Sequence, residues 1–296
     1  MSPAAVATGH LTAALELPPG LDPCQALTAA NRLPGGWSLS PLSVGGEPCP
    51  VVGVTVTDTA PETTVSGSRV QLSLTQRAAR SATLAYTTYT ALERARQERH
   101  MLTLHANAAV TPSGRGVLLL GNKGAGKTSV TLALGERGFT HAGDDLSVLA
   151  EDGAGELLLL PGKATAAVRP KDARRWQDPK PVIGLAPFLR RPVSLAAVVR
   201  LTVHPDVPSA VLVPATPFSA NEQLRLHEAL ARCISGIPTP LTGPGGAPYG
   251  PVWPLDTPRL ARWRTHLVAR LEQRPYTYAY APDADSAADL ITREYA

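Results

Sequence analysis

Eight consecutive residues, Gly121, Asn122, Lys123, Gly124, Ala125, Gly126, Lys127 and Thr128, satisfy the pattern G-x-x-x-x-G-K-[ST], and two adjacent carboxylates, Asp144 and Asp145, follow 17 and 18 residues after Lys127. A loop of this kind holds phosphate. Its glycines let the backbone turn N–H groups inward in conformations that a Cβ forbids, and a helix starting there adds the positive end of its dipole. In that chemistry Lys127 reaches the β- and γ-phosphates of a nucleotide, and the Thr128 hydroxyl ligates Mg²⁺. Ser129 completes the cradle in the first helical turn. Two acids beside a metal and a terminal phosphate can divide the labour, one binding Mg²⁺ and the other accepting a proton from an attacking hydroxyl. ATP and Mg²⁺ are the expected cofactors, although GTPases, ATPases and kinases share such a loop and no residue of this sequence stands out as reading the base. Adjacent side chains of a strand point to opposite faces, so both acids serve one site only if the chain bends there, which Gly143 would permit.

The elements that must position these groups are legible around them. "GVLLL" (116–120) is the apolar run of a buried strand, and "TSVTLALGERG" is a helix closed by Gly138. The spacing from Lys127 to the acids carries the chain down that helix and back along a neighbouring strand to the same end of the sheet. Downstream, "DLSVLAEDGAGELLLLPG" predicts a hairpin around "EDGAG", "TAAVRP" a short strand, and "SLAAVVRLTV" a longer strand with "AVLVPAT" as its neighbour. Ser219 and Glu222 form a capping box before "EQLRLHEALARCI". A proline-glycine loop, "IPTPLTGPGGAPYGP", precedes Thr257 and Pro258, which open another helix; "YTYAY" and a terminal helix after Asp283 complete the chain. Residues 1–82 have another texture, with strands such as "PVVGVTVTD" and "SRVQLSL" between Pro/Gly-rich turns, and a helix with one apolar face runs from about Ala82 to Glu98. The fold class is α/β, a mixed sheet with a P-loop strand–helix unit, preceded by a small β-rich module at 1–82; the catalytic domain is 83–296.

Composition narrows the partners. With 296 residues, 44% of them hydrophobic, the chain can bury a large core, and no apolar run is long enough to span a bilayer. The first 20 residues lack the basic region of a secretory signal, and three cysteines (Cys24, Cys49, Cys233) have neither disulfide nor zinc spacing, so a cytoplasmic location is expected. The net charge of +4 is uneven: Lys163 to Arg191 holds eight basic residues against two acids. Only two aromatic residues, Trp176 and Phe188, fall within it, too few for a nucleic-acid stacking platform, so an acidic peptide or a carboxylate-bearing small molecule suits the segment better, with Arg169 a candidate to stabilise transferred charge. Self-association is compatible with the sequence, which does not specify it.

"LHANAAV", "GNKGAGKTS" and "ERGFTHAGDDLSVL", in that order, resemble the catalytic domain of HPr kinase/phosphorylase and its shorter relatives in peptide and natural-product modification. The resemblance covers about residues 100 to 150 and does not extend to residues 1 to 80. It implies a mixed sheet of the HPr kinase catalytic type, nucleotide phosphates on Gly121 to Thr128, Asp144 as general base, Asp145 as metal partner with Thr128, and His105 near the transferred phosphoryl group. The second glycine-rich signature of the bifunctional enzymes is missing; the nearest stretch is "PVIGLAPFLRRPVSL". Phosphorylase activity and the phosphocarrier substrate are not expected. The expectation is an ATP- and Mg²⁺-dependent kinase acting on a hydroxyl, either Ser/Thr of a peptide or a small metabolite. The alternatives are a regulatory or scaffold ATPase with no acceptor but water, and an enzyme that binds a phosphorylated substrate through the loop, as carboxykinase-like relatives do.

Overall fold

The computed structural model describes residues 4–8, 10–22, 37–41, 50–80, 82–168, 180–235 and 255–296. Contacts divide the chain into two compact units, Met1–Leu102 with Glu228–Thr265, and Thr103–His227 with His266–Ala296. Each unit joins two separated stretches, whereas composition suggested a linear boundary near residue 82. Residues 169–179 of the basic segment, Arg169 among them, and the proline-glycine loop lie outside the described residues.

In the first unit, strands β1 (Ala4–Thr8), β2 (Leu11–Glu16), β3 (Trp37–Pro41), β4 (Val51–Val56), β5 (Glu62–Ser66) and β6 (Arg69–Leu74) form a six-stranded sheet in the order β3-β1-β2-β4-β6-β5. Alternate residues of β6 are buried, as a half-buried strand requires, and Val52, Leu72 and Leu74 join Leu84 and Leu92 in one core. A short helix α1 (Gln76–Ala79), capped by Thr75, leads to α2 (Ala82–Gln97). The sequence predicts one apolar face for α2, yet its polar side is buried as well: Thr87, Thr88, Thr90, Glu93, Arg96 and Gln97 are all 5% exposed or less. Partners offset the cost at Glu93, Arg96 and Gln97. Gln97 Nε2 donates to Glu93 Oε1 at 3.1 Å, Arg96 pairs with Glu93 at 3.4 Å, and Arg264 Nη1 donates to Gln97 Oε1 at 2.7 Å.

The second unit is built on a curled, mixed nine-stranded sheet. Its main path runs β10 (Thr140–Gly143), β8 (Asn107–Val110), β9 (Gly116–Leu120), β15 (Val193–Val203), β12 (Leu157–Leu160), β11 (Ser147–Glu151), β7 (Met101–Leu104). The curl originates at the long β15. One of its edges pairs with β9 over Leu195–Arg200; the other passes from β12, at Val193–Ser194, to β17 (Tyr276–Ala281) over Val198–Val203. β13 (Thr165–Ala167) and β14 (Val182–Gly184) form a separate pair. β16 (Val211–Pro214) departs from the sequence expectation, because it pairs with β17 and not with β15. The small Ala279 and Ala281 of β17 are fully buried, while β16 exposes Val211 and Val213 and carries a proline, which suits an edge. Helix α3 (Lys127–Glu136) ends in a Schellman turn, with Gly138 N–H donating to Gly135 O and Phe139 N–H to Leu134 O.

Helix α4 (Ala220–Ala231) begins on half of the expected capping box. The Ser219 hydroxyl accepts from Glu222 N–H at 3.2 Å, but the Glu222 carboxylate turns inward. It is fully buried and accepts from Arg200 Nε and Nη2 (2.8 and 2.6 Å), from the Tyr278 hydroxyl (3.0 Å) and from the Tyr276 hydroxyl. Burial raises the Tyr276 pKa, so that phenol stays a donor. Helix α5 (Pro258–Glu272) opens as expected on Thr257, whose hydroxyl accepts from Leu260 N–H at 3.3 Å. The last helix, α6 (Ala284–Tyr295), packs with α3 on the Val117, Leu119, Val199 and Ala279 face of the sheet. No helix among the described residues is long and apolar enough to cross a membrane.

The Glu222 cluster sets a stability test, since removing one member of such a group strands the other charge in low dielectric. Glu222→Ala is expected to cost about 3–5 kcal/mol in urea denaturation, and Arg200→Met added to it should recover part of the loss.

Candidate functional site

All five residues of β9 are buried, and the chain leaves the strand through Gly121, Gly124 and Gly126 at φ +154°, +89° and +86°. A side chain is excluded at Gly126 on a second count, since its Cβ would lie 2.9 Å from that of Val203. The turn delivers the chain into α3, following β9 directly. Gly126 is the N-cap and offers no side-chain acceptor, so the first-turn N–H groups have no side-chain cap. Lys127 is buried and folds back over the turn, its Nζ donating to Gly121 O at 2.8 Å and Asn122 O at 3.2 Å. Asn122, Lys123, Gly124 and Ser129 are exposed, whereas Ala125 and Thr128 are half-buried.

The acids arrive at the same edge by a route that differs from the simplest expectation. β10 does not neighbour β9: β8 runs between them, antiparallel to both. β10 is thus parallel to β9 and ends beside the glycine turn, and the first residue of β8, Asn107, stands in the gap. The bend between the acids falls on Asp145, which has φ +64°. Gly143 instead permits close approach, because a Cβ there would meet Leu146 O at 2.6 Å.

Asn107, only 1% exposed, ties the site together. Its Nδ2 donates to Asp144 Oδ1 (2.5 Å) and Thr131 Oγ1 (3.1 Å), and its Oδ1 accepts from Asp145 N–H (3.1 Å). Asp144 Oδ1 also accepts from Thr128 Oγ1 at 2.8 Å. The two carboxyls sit in contrasting settings. Asp144 is 3% exposed, and burial pushes its pKa up, against the hydrogen bonds of Thr128 and Asn107 that pull it down. Asp145, with half its side chain exposed, pairs with His105 Nε2 at 2.6 Å, and that hydrogen bond holds its carboxyl below the usual range despite desolvation. Environments that separate two neighbouring carboxyls in this way let them take different roles.

Two residues that sequence reasoning did not assign a role belong to this cluster. Asn107 was signalled only by following His105 within the quoted "LHAN". Lys163, counted merely as the first of a basic run, accepts from Asp144 N–H through its carbonyl at 3.1 Å, and its ammonium lowers the pKa of both acids. The loop that carries it lies on the acid loop: Gly162 N–H donates to Ala142 O at 2.7 Å, and a Cβ at Gly162 would collide with Leu146 O. His105, Lys127, Thr128, Asp144 and Asp145 are therefore brought to one edge of the sheet. Lys180, Arg190 and Arg191 are exposed.

For Mg²⁺ the donor set is a hydroxyl and a carboxylate. Thr128 Oγ1 and Asp144 Oδ1 stand 2.8 Å apart, close to the separation of about 3.0 Å between adjacent ligands of an octahedral ion bound at about 2.1 Å. Among the described residues no cluster of three or more His, Cys, Asp or Glu can hold a metal. Mg²⁺ commonly uses one or two carboxylates together with phosphate and water, so the Thr128–Asp144 pair fits that ion.

No known protein-family model matches the chain, and no curated protein matches it. Among solved structures, the Hpr(Ser) kinase/phosphatase from Coxiella burnetii is similar with 21% identity, 40% of this chain and 67% of that chain covered, and a TM-score of 0.25. A likeness at that score says nothing about function by itself.

The Asn107 bond stabilises the charged form of Asp144, so its loss favours the protonated form. In Asn107→Ala the Asp144 carboxyl is expected to titrate at higher pH than in the wild-type protein, followed by carboxyl-carbon NMR; an unchanged midpoint would show that the bond contributes nothing to the ionisation.

Proposed function

We propose that the protein is an ATP- and Mg²⁺-dependent kinase that transfers the γ-phosphoryl group to a hydroxyl, either Ser/Thr of a peptide or a small hydroxylated metabolite. The carrying observation is the meeting of the glycine turn, Thr128 and the two acids through one buried amide. The glycine turn and the uncapped first turn of α3 seat the donor phosphates, and Lys127, now on the turn's carbonyls, moves its Nζ to their oxygens. Thr128 and Asp144 would hold Mg²⁺, which would supply positive charge to the phosphates.

The geometry favours a division of the acids opposite to the one that the resemblance implies. Asp144 is buried against Thr128, which suits the metal side. Asp145 reaches solvent and is paired with His105, which suits the hydroxyl. The hydroxyl proton passes to the Asp145 carboxylate, which His105 holds, the hydroxyl oxygen forms the new P–O bond, and the bond from the γ-phosphorus to the β-bridging oxygen breaks to release ADP. Location in the cytoplasm remains part of this proposal.

Asp144→Asn and Asp145→Asn, made singly, are each expected to lower phosphoryl transfer from ATP to a Ser/Thr peptide or metabolite pool by roughly 10²–10⁴-fold, read by mass spectrometry, while nucleotide binding persists. Full activity in both variants would sink the proposal. ATP consumption that ignores added acceptor would instead favour a regulatory ATPase, and failure to bind ATP with Mg²⁺ would favour a phosphorylated substrate on the loop.

A further inference from the structure

The glycine turn has two flanks. On one, β8 and β10 bring Asn107, His105 and the acids. On the other, β15 runs parallel to β9, with Arg200 opposite Leu120, and its end forms a cleft of about 300 Å³ with the turn and α4. Gly121–Ala125, Arg200–His204 and Arg225 line it. The proposed transfer uses the glycine-turn wall of this cleft for the donor phosphates and gives no role to the wall formed by β15 and Arg225.

We infer that the cleft seats the nucleoside of the phosphate donor, with its base against the guanidinium groups of Arg200 and Arg225. The inference rests on the reading of the glycine turn as the seat of a nucleotide donor. The acceptor hydroxyl must approach beside Asp145 and His105, so it occupies the acid flank. A donor whose phosphates lie over the turn then has the β15 flank for its remaining end. Carboxyl ends of parallel strands are where open α/β sheets bind such ligands. The volume is at the small end of ligand pockets and fits part of a nucleotide, not the whole.

The chemistry of the walls agrees. Glu222 grips Arg200 through Nε and Nη2, which fixes the guanidinium plane at the cleft wall. Arg225 lies three residues after Glu222 on the same helical face, is exposed, and makes no hydrogen bond or ion pair among the described residues. Its charge is felt by Tyr278, which pairs with Arg200 across the strands. Planar cations of this kind stack on aromatic faces. Thr202, exposed on the cleft floor and opposite Tyr280, offers a hydroxyl. His204 is partly engaged, at 3.4 Å from Asp206.

Calorimetry with ATP and with inorganic tripolyphosphate, both with Mg²⁺, separates the nucleoside from the phosphates. The wild-type protein should bind ATP at least about tenfold more tightly than tripolyphosphate, the scale of one or two stacking contacts. Thr202→Trp, which fills the cleft from an exposed position, should reduce ATP affinity to that of tripolyphosphate and leave tripolyphosphate binding unchanged; Arg225→Ala should lower the ATP preference in the same direction. Equal wild-type affinities for the two ligands, or a Thr202→Trp variant that keeps its ATP preference or weakens both ligands alike, would overturn the cleft assignment while leaving the donor reading standing. A wild-type protein that binds neither ligand would overturn the donor reading and this inference with it.

Discussion

One buried side-chain amide organises the second unit. Asn107 has two donors and an acceptor, and the fold uses both ends: the NH₂ group reaches Asp144 and Thr131, and the carbonyl receives the Asp145 N–H. A group that is 1% exposed cannot leave such bonds to water, so β8, α3 and the acid loop must arrive in register or forfeit several polar contacts in a dry setting. That requirement couples three elements distant in sequence. It also explains how Asp145 is kept in a left-handed conformation that costs a non-glycine residue energy: its N–H is held by Asn107 and its carboxylate by His105.

The sheet topology converts this local constraint into a site with two sides. β10, β9, β15 and β17 are mutually parallel at the edge where the glycine turn sits, and antiparallel β8 separates the first two. Carboxylates gather on one side of the turn and guanidinium groups on the other. The arginine side has its own buried anchor in Glu222, whose carboxylate is satisfied by Arg200, Tyr276 and Tyr278. Each flank thus fixes a charged group by burying the polar partner that orients it, and the glycine turn lies between them with its backbone open.

Much of the local structure was legible because it depends on local physics. The apolar run of 116–120, the Gly138 stop, the "EDGAG" hairpin, the Thr257–Pro258 start and the Asp283 cap are set by period, capping and turn chemistry, and the observed elements follow them. What went unread was non-local. The alternation that marks "AVLVPAT" as a strand is silent on which edge it joins, and β17 displaced it from β15. The polar side of α2 reads as solvent-facing until its partners, Arg264 among them, are brought to it. The Glu222 side chain reads as a cap because its neighbour Ser219 is local, whereas Arg200 is 22 residues away.

By itself the sequence determined the presence of a glycine turn between an apolar strand and a helix, with an acid pair at a distance that allows return to the same edge; these depend on backbone freedom and chain length. Only the tertiary structure decided which side each charge occupies. The order of strands placed Asn107 between the acids, set Asp144 against Thr128 and Asp145 against His105, and opened the arginine-lined cleft beyond β15. The physical reason is that burial and hydrogen-bond partnership are properties of neighbours in space, and neighbours across a sheet are chosen by pairing that leaves no mark on the local pattern.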